Sequence, residues 1–243
     1  FGHSEWIVSF GFQISEKFAT MNVLVIGNKT QQVECAQKFA GHNILPVSNH
    51  LEAEAALGNA DIVFDFAIGR APEQISIYQN QSKVVAFLDV TTQSLSALTR
   101  KLNHQVTATL FGFCGLPTFL NRQILEVTVR KTEDLARLSE VCAKLSTDFS
   151  VVDDRVGLVT PRVIAMIINE AYFTVQEGTA SREDIDMAMK LGTNYPFGPF
   201  EWCKRIGLSN VYELLDALYA DTKDERYRIC ALLKKEFLAT RVE

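Results

Sequence analysis

Short hydrophobic runs alternate with amphipathic stretches over the first part of the chain. Residues 22–27 (NVLVIG), 61–67 (DIVFDFA) and 83–90 (KVVAFLDV) are nearly continuous apolar runs, and 42–47, 106–113 and 124–129 read the same way more weakly. Runs of this length with little alternation predict strands buried on both faces, as in parallel sheets. Between them, residues 30–39, 51–57 and 71–79 predict helices, the last with Pro72 in its first turn. A helix over 133–145 and a strand near 149–152 extend the series. Strands alternating with helices in this way predict a parallel sheet covered by helices on both faces.

After Asp153-Asp154 the periodicity becomes helical throughout. Residues 156–177 form one long helical pattern, followed by 182–191, 200–206, 210–219 and 225–239. Ser181 is a good N-cap, with Asp184 three residues on as the reciprocal partner of a capping box. Gly192 is placed to end that helix with a positive φ, and Pro199 suits the first turn of the next. The expected fold is therefore an α/β Rossmann-like N-terminal domain with a reduced, mostly parallel sheet over residues 21–154. An all-α domain follows over 155–243. Residues 1–20 stand apart as an extension of uncertain origin, because Met21 lies directly before the first strong strand. Partial alternation from Ile7 to Ile14 offers an added edge strand as the other reading.

Composition narrows the partners. The chain has 243 residues, 47% of them hydrophobic, enough to build two modest cores. Its 24 basic and 29 acidic residues leave a formal charge of −5, which points away from nucleic acid and anionic membrane as partners. No apolar run approaches the ~20 residues a membrane span requires. Five scattered cysteines without any Cys-x-x-Cys pair fit a reduced, cytoplasmic setting and give no metal signature.

The most specific segment is 179–208, TASREDIDMAMKLGTNYPFGPFEWCKRIGL. Glu183-Asp184-Ile185-Asp186, Ala188-Met189-Lys190-Leu191-Gly192, Tyr195-Pro196, Gly198-Pro199-Phe200-Glu201 and Gly207-Leu208 all resemble the C-terminal domain of 3-hydroxyacyl-CoA dehydrogenases, of the 3-hydroxybutyryl-CoA type. Asn169-Glu170-Ala171 resembles that family's "NEA". The resemblance covers most of the chain from Met21, strongly over about 157–215 and faintly before 106. It implies NAD as cofactor, oxidation of 3-hydroxyacyl-CoA to 3-oxoacyl-CoA, and a homodimer formed through the helical domain.

Carried over residue by residue, the resemblance is uneven. A Rossmann fold places Gly-x-Gly-x-x-Gly where the first strand opens into a helix, so that backbone and helix N-terminus can approach a pyrophosphate. Here the run is Gly27-Asn28-Lys29-Thr30-Gln31-Gln32. Only Gly27 remains, and Gly27, Asn28 and Thr30 are the candidate cofactor-binding residues. Side chains at Lys29 and Gln32 are expected to crowd the phosphates. The second strand runs into Val47-Ser48-Asn49-His50 with no carboxylate for the adenine ribose.

The family's base is a His in "G-x-HFFNP", with a Glu partner in "EV". Glu126 matches the carboxylate, while the His position falls on Cys114, or on Phe113 with one residue gapped. His104 stands too early to replace it without a rearranged loop. The serine-bearing "SNTSSL" loop resembles Thr91-Thr92-Gln93-Ser94-Leu95, making Ser94 or Thr92 a substrate-side candidate, with N-capping as the plainer role. Pro161 takes the place of the catalytic Asn. The candidate catalytic set is therefore Glu126, Ser94 and Cys114. The family function stands as the expectation, beside a non-catalytic protein that binds an acyl-CoA-like small molecule and a dimeric structural subunit.

Overall fold

A computed structural model describes residues 19–100, 102 and 106–240. The possible strand from Ile7 to Ile14, and His104, lie outside the described residues. The chain separates into two compact units on either side of the Leu158–Val159 peptide.

The first unit carries β1 (Asn22–Ile26), α1 (Lys29–Lys38), β2 (Asn43–Val47), α2 (His50–Ala56), β3 (Ile62–Asp65), β4 (Val85–Asp89), α3 (Leu95–Thr99), β5 (Thr109–Phe113), β6 (Ile124–Val129), α4 (Leu135–Lys144) and β7 (Asp148–Val151). The strands form one sheet in the order β2-β1-β3-β4-β5-β6-β7. The stretch at Pro72–Tyr78, expected as a helix, is a tighter 3₁₀ turn.

The first five strands are parallel, but β6 pairs antiparallel with β5, and β7 follows β6 in parallel. The sheet is thus mostly parallel, as expected, with one antiparallel junction. The β5–β6 connection contains no helix, and a parallel partner needs a crossover, usually helical, to carry the chain back along the sheet.

One face of the sheet is held by an aromatic row. Phe64, Phe87 and Phe111 are direct cross-strand neighbours on β3, β4 and β5. Their ring centroids are 4.8 Å and 5.3 Å apart. Phe39 stacks on Phe64 from α1, and Phe113 meets Phe64 edge-on. Aligned aromatic pairs add stabilisation beyond their buried area and fix strand register.

The second unit comprises α5 (Thr160–Gln176), α6 (Arg182–Thr193), α7 (Pro199–Ile206), α8 (Leu208–Thr222) and α9 (Ala231–Ala239). The long helix begins at Thr160, not 156, because Gly157 and Leu158 both adopt positive φ (78° and 48°). Helix α6 runs through Gly192. The left-handed residue that ends it is Asn194, with φ of 57°. Asparagine tolerates that conformation, so Gly192 is not the stop.

The pattern over 225–239 is likewise broken, into a 3₁₀ turn at Glu225–Tyr227 and α9. Buried Asn169 on α5 accounts for the break. Its Nδ2 donates to the Arg228 carbonyl (2.9 Å), and its Oδ1 accepts from the Cys230 amide (2.9 Å). The side chain thus supplies the backbone partners that a continuous helix would have supplied.

Candidate functional site

In an open α/β sheet, ligands gather at the carboxyl ends of the strands. In the first unit those ends are Gly27 after β1, Ser48 after β2, Phe66 after β3, Val90 after β4 and Cys114 after β5.

The turn after β1 is already satisfied from within. Asn28 caps α1: its Oδ1 accepts from the Gln31 amide (3.1 Å), while Gln31 Oε1 accepts from the Asn28 amide (2.9 Å). The Gln32 side chain donates to the carbonyls of Gly27 (2.8 Å) and Val47 (3.2 Å), filling the space between α1 and the ends of β1 and β2. A Cβ on Gly27 would sit 2.6 Å from Gln31 Oε1 and 3.2 Å from Phe66 Cβ, so the chain's own side chains already crowd this position.

A bound pyrophosphate would have to displace the capping box and meet a side chain at Lys29. Gln31, not singled out in the sequence, occupies this turn together with Gln32. Thr30 is exposed and holds nothing.

At the end of β2 a carboxylate does arrive, from Glu52 on α2. Both its oxygens are engaged locally, by the Ser48 amide (2.9 Å) and by Asn49 Nδ2 (2.9 Å). The residues at this crevice therefore do not fit a dinucleotide: the phosphate turn is self-capped, and the nearby acid is committed to its own helix start.

Two acids not singled out in the sequence lie at the ends of β3 and β4. Asp65, fully buried, accepts from the Ala67 and Ile68 amides (both 3.0 Å) and from Tyr78 OH (2.9 Å), and its other contact is His50 Nε2 at 2.9 Å. Burial, with Asp65 adjacent, pushes the Tyr78 phenol well above its usual range.

Asp89 Oδ1 accepts from the Thr91 amide (3.0 Å), Thr91 Oγ1 (2.5 Å) and the Gly115 amide (3.0 Å). Burial pushes the Asp89 carboxyl pKa up, against the pull of those hydrogen bonds. The signal for both was present: an Asp closes each of two otherwise apolar strands.

Cys114 is buried, with its sulfur 3.6 Å from Thr91 Oγ1. Burial first, and the Asp89 charge second, push its thiol far up. A thiol held neutral in this way is a weak base near pH 7. Phe113, the gapped alternative, is part of the aromatic core.

Glu126 lies on β6 beside this group. The space it shares with Cys114, Phe119 and Arg122 is only about 10 Å³, too little for more than a water. Ser94 Oγ accepts from the Ala97 amide (3.1 Å), and Asp154 takes the Leu95 and Ser96 amides. Ser94 is thus an N-cap of α3. Gly27, Asn28, Ser94, Cys114 and Glu126 all sit near the carboxyl ends of the strands, but each is occupied by the fold. Among the described residues no cluster could hold a metal ion, and no helix is long and apolar enough to cross a membrane.

All five cysteines are buried and unpaired. Burial raises the thiols of Cys35, Cys114, Cys142 and Cys203, the last to about 11. At pH 8 a thiol of that pKa is about 0.1% ionised, against about a quarter for an ordinary one near 8.5. The folded protein is therefore expected to leave these thiols unmodified by Ellman's reagent at pH 8, and all five to react in denaturant. Rapid reaction of two or more in the native state would contradict the burial. Because the folded pKa values are raised, their contribution to stability is intact below about pH 8.5 and is lost as pH rises above it.

In the second unit the 179–208 segment is a folding cassette. Asp186 on α6 caps α7, accepting from the amides of Phe200 (2.8 Å) and Glu201 (3.1 Å). Glu201 turns back to the Gly198 amide (3.0 Å) and pairs with Lys190 (2.5 Å). Ser181 Oγ caps the Asp184 amide and donates to its carboxylate (2.6 Å), so the expected reciprocal contact is made side chain to side chain. Pro161 is buried in the first turn of α5.

Residues 157–243 match the family model of the 3-hydroxyacyl-CoA dehydrogenase C-terminal domain. The chain is 45% identical over 87 residues to the 3-hydroxyadipyl-CoA dehydrogenase of Escherichia coli (strain K12), covering 36% of this chain and 18% of that protein. It is 39% identical over 102 residues to a probable 3-hydroxybutyryl-CoA dehydrogenase of Bacillus subtilis (strain 168), covering 42% and 34%. The aligned part thus spans about a fifth to a third of the length of these curated relatives. The crystal structure of (S)-3-hydroxybutyryl-CoA dehydrogenase from Ralstonia eutropha superimposes with a TM-score of 0.71 at 20% identity, over 91% of this chain and 95% of that one, a likeness of fold. By this match, residues 157–243 form a domain of the 3-hydroxyacyl-CoA dehydrogenase C-terminal type.

Proposed function

We propose that this chain is a 3-hydroxyacyl-CoA dehydrogenase homologue that does not itself transfer hydride to NAD. The single observation that carries the reading is Cys114. The residue at the position of the family's base is a buried thiol whose pKa is driven upward. The self-capped turn at Asn28 and Gln31 supports it from the cofactor side. Within this reading the protein is a non-catalytic member that serves through its helical unit, with an acyl-CoA-like ligand or a second copy of the chain as the partner. The exposed apolar side chains of Met187 and Leu191 on α6 favour such a role. The five reduced cysteines favour a cytoplasmic setting.

Oxidation of NADH in the presence of acetoacetyl-CoA tests the reading. A positioned base alone contributes about 10²–10⁴-fold. With base and cofactor site both lost, turnover is expected to fall at least about 10⁴-fold below the ~10 s⁻¹ typical of enzymes. A turnover number of about 1 s⁻¹ or more would overturn it.

A further inference from the structure

At the end of the same sheet opposite the crevice, where β5 begins and β6 ends, lies a groove of about 430 Å³. Among the described residues three cations line it: Arg100, following α3, and Arg130 and Lys131, following β6. Ser96, Thr99 and two aliphatic side chains complete the wall, and no carboxylate is among them. Glu133 and Asp134, next in sequence, start the turn before α4 and stay outside the groove. None of the three cations makes an ion pair or side-chain hydrogen bond with a described residue.

Three like charges brought together from two separate elements repel one another. In a chain with 29 acidic residues and a net charge of −5, a neutralising neighbour would be a simple substitution. A concave wall of one sign focuses its field and raises the local concentration of oppositely charged ligand. Two guanidinium groups offer planar, paired N–H donors that match phosphoryl oxygens, with the Lys131 ammonium as a point charge and the Ser96 hydroxyl as a further donor. The volume lies within the ~300–1,000 Å³ of small-molecule pockets.

We propose that this groove binds a small ligand through a phosphoryl group, a mono- or diphosphate ester. The site shares no residue with the crevice, so it stands whatever NADH turnover shows.

The test is calorimetric titration of the full chain with inorganic pyrophosphate, repeated with sulfate and with the variants Arg100→Gln, Arg130→Gln and Lys204→Gln. Thermal melting confirms that each variant is folded. One saturable site per chain is expected, weakened at least tenfold in Arg100→Gln and in Arg130→Gln and unchanged in Lys204→Gln, which removes an exposed charge of the other unit. Sulfate should bind more weakly than pyrophosphate. Absence of saturable heat at millimolar pyrophosphate would overturn the proposal. So would equal affinity for sulfate, or affinity unchanged by both arginine variants.

Discussion

Replacing Asp65 by Ala is expected to cost about 3–5 kcal/mol of folding stability, the range for removing one partner from a buried polar pair. The carboxylate sits with no exposed surface at the end of β3. It gathers two backbone amides, Tyr78 OH and His50 Nε2 within 3.0 Å. The alanine variant leaves those groups without their acceptor in a space too enclosed for water to replace every bond, and each orphaned buried donor costs about 1–3 kcal/mol. Chemical denaturation of the full chain checks it, with Tyr78→Phe as a companion that removes one donor and leaves the rest. A loss below about 1 kcal/mol for Asp65→Ala would show that the node is not the anchor of the β3 end that its hydrogen bonds describe.

The second large effect is expected at Gly198, and its sign should be opposite to that at Gly192. A Cβ on Gly198 would fall 2.3 Å from the carboxyl carbon of Asp186. Its backbone is ordinary (φ −71°), so the obstacle is purely steric. Gly198→Ala forces Asp186 away and breaks its two bonds to the start of α7. The cost is about 2–4 kcal/mol, combining overpacking with loss of the cap. Gly192 lies inside α6 with nothing near its missing Cβ. There Gly192→Ala should stabilise the helix by up to about 1 kcal/mol. Thermal melts of the two variants decide between a structural cassette and a ligand site. Near-wild-type stability of Gly198→Ala would remove the structural explanation for this segment.

This cassette explains why the family resemblance was so legible in 179–208 and yet said little about chemistry. Asp186, Gly198, Glu201 and Lys190 are bound to one another, so their identities are dictated by packing within one helical unit. They can persist while the residues at Gly27–Gln32 and Cys114 change.

Strand positions were also readable. NVLVI, IVFD and VAFLD are apolar because both faces of the sheet are covered, a local signal with a non-local cause. The reversal at β6 was not readable, because a strand's own side chains do not record the direction of its neighbour. It showed only indirectly, in a β5–β6 connection without a helix.

The limits of local reading also appear at the polar nodes. Asn169 meets Arg228 and Cys230 some 59 to 61 residues away. Glu34 on α1 accepts from the amides of Thr118 and Asn121 across 84 and 87 residues. Nothing in the neighbourhood of these residues announces the partner. At the crevice, the loss of glycines was plain from the sequence. The side chain that caps the turn in their place was visible only once Gln31 could be seen to accept from the Asn28 amide. Asp89 was not singled out in the sequence. Its three donors and proximity to Cys114 emerge from β4 and β5 lying side by side.

The claim that the strand-end crevice is closed to a dinucleotide is tested most directly by titrating the folded protein with NADH and following the nicotinamide fluorescence. No saturable binding is predicted up to millimolar NADH. A single site with a micromolar dissociation constant would contradict the closure of the turn by Asn28, Gln31 and Gln32.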